Sequence, residues 1–529
     1  NLALVILTAF HLALLGFGQL KFEEAYYWNY SQHPDLSYFD HPPMVAWLIS
    51  ASCSLLGSFC WSVKLPAALL YSCSCWLLSE ITGRVYGGRA ALLNLALLAS
   101  IPALAIHSTM ILPDSPLMFC WSLGLWGTLQ LFETEDTRWW WLIGVATGLG
   151  LDSKYSALLI PLGAFLQAFW IKKPGLALNL RMLMSAVLAI ELFSPVILWN
   201  LGSDFASFKF QGGERMAQAT SLKEKLGGWL FQFALFSPLA FLFIPSCLRR
   251  AWKSAQAGSN REKLLLCCTL PFLALMVYVS LRRLVQINWP LPGYLGLICI
   301  LSGELSVRNL RTQGWVIAQA GLLRCLLLAL ILFPIGIANT IDDINQWDEF
   351  GRKALEIRAQ MPIPEKTFLA APGYQSASEL AFTTLKPHLT LSNNFMGQRA
   401  LGYDYWEQPA HFLGWDCVLA NYAHPRATPK PEVRPTASPS SNPLVRPSAS
   451  PTDGIPLDPN VESALGWKER NPLDLSLVRR PVAEIGEGDV VIALVPVRER
   501  QPRAQRAHVA AVELVVEGRH RDQARRDRR

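Results

Sequence analysis

The sequence predicts an all-α polytopic membrane protein of about 11 transmembrane helices, followed by a small C-terminal extracytoplasmic α/β domain and a tail without stable structure. Three observations lead there. Hydrophobic residues make up 51% of the 529 positions, charged residues only 16%, and mean hydropathy is +0.25, which is too apolar for a soluble multidomain chain. Apolar runs of about 15 to 22 residues, enough to cross the hydrocarbon core as helix, recur along the first two thirds of the chain. Basic residues then gather in alternate connections between those runs.

The expected spans are 2–20, 63–81, 90–108, 115–132, 139–151, 155–171, 182–199, 229–248, 264–281, 289–303 and 315–338, of which 139–151 is the shortest. The first run lacks a basic leader and a small-residue cleavage site, so it reads as a retained helix, and a chain that begins at Asn1 suggests a missing start. Arg84, Arg89, Arg138, Lys172, Lys173, Arg181, Arg249, Arg250, Arg308 and Arg311 fall on one side of this topology, which the positive-inside rule makes cytoplasmic. The first long connection, 21–62, therefore faces outward, as does everything after the last span. Most of the 11 cysteines lie within apolar runs and read as small apolar packing groups.

Residues 1–338 thus form the membrane domain and 339–423 the outer α/β domain, with a helix expected over 348–360 and a strand at Thr367 to Ala370. Residues 424–529 turn Pro- and Ser-rich and then Arg-rich with few aromatics. They read as disordered or as an aberrant reading of the coding sequence. The positive charge is spent on loops and tail, so it argues for membrane orientation and against nucleic acid.

Chemistry is concentrated in the 21–62 connection. Glu23 and Glu24 follow a span directly, where a carboxylate can act as general base beside a membrane-anchored substrate or merely mark a solvated boundary. Tyr26, Tyr27 and Trp28 can seat the loop in the interfacial belt and offer flat faces to a sugar. Asp40-His41-Pro42-Pro43 adds an acid and an imidazole where the chain re-enters the membrane. His41 suits a phosphate, whereas Glu23, Glu24, Asp40 and His41 together could hold a divalent cation; no spacing supports a dedicated metal site. Asp114 caps a helix or serves the site. Lys154 pairs with a lipid phosphate or with Asp152, and Arg282 with Arg283 place two guanidiniums on the side otherwise poor in cations. Within the spans Glu191 is the notable acid, since Glu80 and Arg324 lie near enough to helix ends to snorkel.

Glu23-Glu24-Ala25-Tyr26-Tyr27-Trp28, Tyr38-Phe39-Asp40-His41-Pro42-Pro43, Pro113-Asp114-Ser115-Pro116-Leu117, Ser153-Lys154-Tyr155 and Asn288-Trp289-Pro290 resemble, in that order, the bacterial protein O-mannosyltransferase-like branch of glycosyltransferase family 39. That branch includes RgtA/B/C/D-like and lipid A aminoarabinose transferase-like enzymes of the GT-C fold. The similarity covers roughly residues 1–420. It implies inverting transfer of a sugar from a polyprenyl-phosphate donor to a lipid, glycan or protein acceptor at the outer face of the inner or plasma membrane. Family members often carry Asp-Glu where this chain has Glu23-Glu24. The resemblance makes Glu23, Glu24 and Asp40 catalytic candidates and assigns the donor phosphate to His41, Lys154, Arg282 and Arg283. Substrate positioning falls to Asp114, Tyr26, Tyr27, Trp28 and Asn288. A lipid-linked sugar flippase and a non-catalytic membrane scaffold are the alternatives.

Overall fold

A computed structural model describes residues 2–215, 220–332 and 347–423, with two short strand segments at 490–491 and 509–515. The chain divides into two compact units, Asn1–Asn345 and Gln346–Arg529.

The first unit is helical. Its elements run α1 (Leu2–Leu14), α2 (Phe22–Gln32), α3 (Met44–Leu56), α4 (Cys60–Tyr86), α5 (Gly88–Ser100), α6 (Pro102–Ala105), α7 (Asp114–Thr134), α8 (Trp140–Leu151), α9 (Ile160–Trp170), α10 (Leu180–Gly202) and α11 (Ala206–Lys209). They continue as α12 (Leu222–Leu235), α13 (Pro238–Leu242), α14 (Ile244–Gln256), α15 (Asn260–Arg282), α16 (Leu291–Ser306) and α17 (Leu310–Leu332). Among the described residues four helices are long and apolar enough to cross a membrane, Cys60–Tyr86, Pro174–Gly202, Asn260–Arg282 and Leu310–Ala329. Gly88–Ser100 and Pro102–Ser108 make a fifth crossing if taken together, bent by 73° at the Pro102 break. Shorter apolar helices complete the bundle, so the chain is a multi-pass membrane protein. Residues 333–338 of the expected last span lie outside the described residues.

Two expectations need correction. The 21–62 connection is not a loop: it folds into α2 and the apolar α3, joined by a turn through Asp40 to Pro43. Arg324 does not snorkel. It is 8% exposed and its Nη1 donates to the carbonyl of Ala99, while the Tyr71 hydroxyl donates to Leu98 O at 2.7 Å. Both side chains serve carbonyls at the end of α5, which the break at Pro102 leaves without helical donors.

Small residues set the packing. On α8, a Cβ at Gly144 would lie 2.6 Å from Ser185 O and one at Gly148 2.7 Å from Leu192 Cβ, so α10 sits directly on this helix. A Cβ at Gly163 would come within 2.3 Å of Cys268 Sγ, which puts that thiol to use as a small apolar knob between α9 and α15. All cysteines are free, but Cys73 and Cys325 lie exposed on the bundle surface.

The second unit carries α18 (Trp347–Gln360) and α19 (Tyr374–Thr384) beside a five-stranded sheet in the order β2-β1-β3-β5-β4. β1 (Thr367–Ala370) pairs in parallel with β2 (Thr390–Leu391) and with β3 (Asp416–Ala423), in register Thr367 to Asp416. β5 (Val509–Val515) continues the parallel ladder on β3, and β4 (Val490–Val491) closes it antiparallel. The sheet therefore draws two strands from the segment read as a structureless tail. Phe368, Leu391, Phe412 and Leu419 form its core.

A candidate functional site at one end of the bundle

Two acids of α2 are placed differently. Glu24, fully buried, accepts from the Ile111 N–H and from the Lys21 N–H, each at 3.0 Å, and its Oε2 lies 3.9 Å from Lys64 Nζ. Burial pushes this carboxyl upward, opposed by Lys64 and the two backbone donors. Lys64 also donates to Gln19 O at 2.8 Å. Glu24 thus fastens the start of α2 to the segment before α7. Glu23, one residue earlier and turned by about 100° around the helix, is half-buried.

The aromatics of α2 pack inward. Tyr26, Tyr27 and Trp28 are all below 5% exposed, so their faces are not open to a sugar. The Tyr26 hydroxyl donates to Asp40 Oδ1 at 3.0 Å, the Tyr30 hydroxyl donates to the same oxygen, and Trp28 Nε1 reaches Ser58 Oγ at 3.2 Å. Burial pushes the Asp40 carboxyl up while both phenols and the Arg215 charge oppose the shift. Asp40 is a buried acceptor that locks the turn. Among the described residues the ligand atoms of Glu23, Glu24, Asp40 and His41 do not converge as a group that could share a cation.

His41, edge-on to Tyr27 at 5.7 Å, is held well below the usual histidine range by burial, with Arg215 and Lys154 adding to the effect. It is a neutral imidazole, able to give one hydrogen bond to an anion but not a charge.

Residues distant in sequence converge beside it. Lys154 Nζ donates to both Asp114 oxygens, at 2.7 and 2.8 Å, and Asn288 Nδ2 donates to Asp114 Oδ2 at 2.6 Å. The Asp114 side chain is 1% exposed and that of Lys154 16%. This is a buried ion pair with a neutral third partner, and Lys154 pairs with Asp114 rather than Asp152. Asp152 instead keeps its backbone oxygen on Met44 N at 2.9 Å and leaves a buried Oδ1 without a partner among the described residues. Burial pushes its carboxyl to about 7. Because the folded form raises this value, the stabilising contribution is present at low pH and lost as pH rises through about 7. Asp152→Asn should therefore stabilise the protein by on the order of 1–2 kcal/mol at pH 8 and by little below about pH 4, where the unfolded carboxyl also keeps its proton, read as the pH dependence of thermal unfolding.

Arg282 and Arg283 diverge. Arg282 is exposed and lies over Tyr278 at 5.1 Å. Arg283 is 4% exposed and lies over Trp289 at 4.9 Å, and Arg215 approaches the same indole at 5.7 Å. Arg215 reaches there because the segment after α10 folds over the Asp40 turn: Gln211 Nε2 donates to Asp40 O, and Phe39 packs on Phe210 at 4.7 Å. Among the described residues Arg215 Nη1 donates to Gln211 Oε1 at 3.3 Å, Arg283 Nε donates to Leu284 O at 3.3 Å, and Arg283 Nη1 is buried without a partner. Neither guanidinium has a carboxylate partner among the described residues. In the sequence Arg215 stands outside the motifs, and its one mark is its place between the expected spans 182–199 and 229–248, on the side poor in cations.

Arg283 also lines a cavity of ≈ 400 Å³ among α12, α13, α14, α15 and α16, whose walls include Trp229, Phe241, Leu270, Met276 and Leu297. The volume lies within the range of about 300–1,000 Å³ common for small-molecule sites. A nearly unbroken apolar wall with a buried, unpaired guanidinium suits an amphiphile with an anionic head. At the opposite end of α15, Arg261 pairs with Glu133 of α7 at 2.9 Å, and Arg84 of α4 pairs with the same carboxylate at 2.9 Å.

The family model of dolichyl-phosphate-mannose-protein mannosyltransferases matches residues 40–199, the stretch holding Asp40, His41, Asp114 and Lys154. The lipid A galacturonosyltransferase RgtD of Rhizobium johnstonii is 25% identical over 293 residues, 54% of this chain and 61% of that protein. The lipopolysaccharide core galacturonosyltransferase RgtA of the same organism is 28% identical over 287 residues, 51% of this chain and 56% of that one. The chain thus matches less than two thirds of the length of either curated relative. Among solved structures, ArnT from Cupriavidus metallidurans superposes with a TM-score of 0.57 at 15% identity, over 78% of this chain and 89% of ArnT. The same enzyme bound to undecaprenyl phosphate gives 0.53 at 16%, over 74% and 85%.

Proposed function

We propose that this chain, which has the GT-C fold of the family 39 glycosyltransferases, transfers a sugar from a polyprenyl-phosphate donor to an acceptor hydroxyl, with inversion at the anomeric carbon. The observation that carries this reading is the pair of guanidiniums over Trp289, Arg215 and Arg283, which have no carboxylate partner among the described residues, with Arg283 also lining a hydrocarbon-walled cavity. A phosphate on a prenyl chain matches both halves.

The relatives' names favour a uronic acid as the sugar and lipid A or core oligosaccharide as the acceptor. The positive-inside distribution favours the inner membrane with this end of the bundle outward. In the reaction, the Glu23 carboxylate takes the acceptor's O–H proton as its oxygen bonds to the anomeric carbon, and the bond from that carbon to the phosphate oxygen breaks. Polyprenyl phosphate leaves with the bonding electrons. Arg215 and Arg283 stabilise the growing charge, His41 gives a neutral hydrogen bond, and the Asp114–Lys154–Asn288 set holds the wall of the site. Glu24 and Asp40 are positioning residues for α2 and its turn.

Binding of undecaprenyl phosphate to purified protein, read as a thermal shift, tests the assignment. Arg215→Ala and Arg283→Ala should each weaken binding at least tenfold, as loss of a charge-assisted hydrogen bond of about 1.5–3 kcal/mol requires, and Arg282→Ala should not. Equal binding by all four proteins would refute the phosphate seat.

A further inference from the structure

α10 has one face fully committed and one face that is not. Ser185, Ala189, Val196 and Trp199 are buried, and the close approach of Gly144 and Gly148 of α8 fixes that face inward. The opposite face exposes Met184, Val187 and Leu198, with Glu191 among them. Only 22% of the hydrophobic window of this span is buried, and these four side chains are exposed. Glu191 sits ten residues from Arg181 and nine from Asn200, hence about 15 Å from either polar end at 1.5 Å per residue. It cannot snorkel to water, and it cannot turn inward without lifting α10 off the two glycines.

A second polar group shares the position. Pro195 lies within α10 and has no N–H, so the carbonyl of Glu191 loses its helical donor. At mid-membrane a carboxyl in its acid form gives one hydrogen bond and takes another, and a freed carbonyl takes one. Acidic groups at this depth are rare and are normally paired. No headgroup reaches there, which leaves another helix as the partner. Donor and acceptor occur together on one face, so a copy of the same face satisfies both and no cation from a different chain is needed; a two-fold axis makes each interaction occur twice.

We propose that α10 is a self-association face within the membrane. Two copies meet across Met184, Val187, Glu191 and Leu198, and each Glu191 carboxyl donates to the Glu191 carbonyl that Pro195 frees in the other copy.

Energy transfer between donor- and acceptor-labelled copies of the full chain, reconstituted together over a range of protein-to-lipid ratios, tests this. The native protein should show transfer above that of an unrelated monomeric membrane protein at equal density. Glu191→Leu, which is compatible with a lipid-facing position, should need about tenfold higher density for half-association. Pro195→Ala, which gives the carbonyl back its helical donor, should also weaken it, whereas Glu191→Gln, with both a donor and an acceptor, should stay within about threefold. Native transfer at the random level, or undiminished association of Glu191→Leu, would overturn the proposal, including the case in which a different membrane protein occupies the face.

Discussion

Glu23→Gln is expected to lower sugar transfer by about two to four orders of magnitude, the usual contribution of a positioned general base, with no change in thermal stability. Glu24→Ala should show the reverse emphasis. It leaves the Ile111 and Lys21 N–H groups without their acceptor and Lys64 without its carboxylate, a loss of about 3–5 kcal/mol for a broken buried pair. Folded protein should fall sharply, and any that is recovered should transfer poorly because α2 has lost its tether. Kinetics and unfolding measured on the two variants together separate the roles. Full transfer by Glu23→Gln would remove it as the base, and a stable Glu24→Ala would remove the tether.

The second large effect belongs to Lys154. Replacing it with Met leaves Asp114, whose side chain is 1% exposed, charged and held only by Asn288. Removing one partner of a buried pair costs about 3–5 kcal/mol, because the remaining charge keeps its desolvation penalty. The double variant Lys154→Met, Asp114→Leu should recover most of that stability, since an apolar pair of similar volume avoids the penalty. Activity should not return with it, as the wall of the site has lost its polar groups. Thermal unfolding of the single and double variants checks the first point and transfer kinetics the second. A single variant as stable as the native protein would show that Lys154 is not holding Asp114.

The membrane class and the first motif were legible because both are local. Apolar runs declare a span by length and composition, and Glu23 to Trp28 with Asp40 to Pro43 stand out in a chain poor in polar groups. What was not legible depends on contacts over long separations. Nothing near Asp114 in sequence announces that Lys154 and Asn288 will bind it, and nothing near Arg215 announces that Trp289 will lie beneath it. Glu23 and Glu24 look alike in the sequence, and the approach of Ile111 and Lys64 to Glu24 separates them. The tyrosines were misjudged for a related reason: an aromatic cluster beside a membrane span suits the interface or a sugar equally, and only burial shows that these rings build the seat of Asp40. Arg324 looked like a snorkelling cation because the break at Pro102 that it serves lies on another helix.

The most direct assay uses the purified full chain in vesicles, supplied with undecaprenyl phosphate carrying a radiolabelled galacturonic acid and with lipid A as acceptor. Label is expected to move to lipid A with release of undecaprenyl phosphate from the native protein and not from Glu23→Gln. If folded native protein leaves all label on the carrier, whichever polyprenyl-phosphate sugar and lipid or glycan acceptor is offered, while the carrier itself changes leaflet, the chain is a flippase and the transferase reading is contradicted.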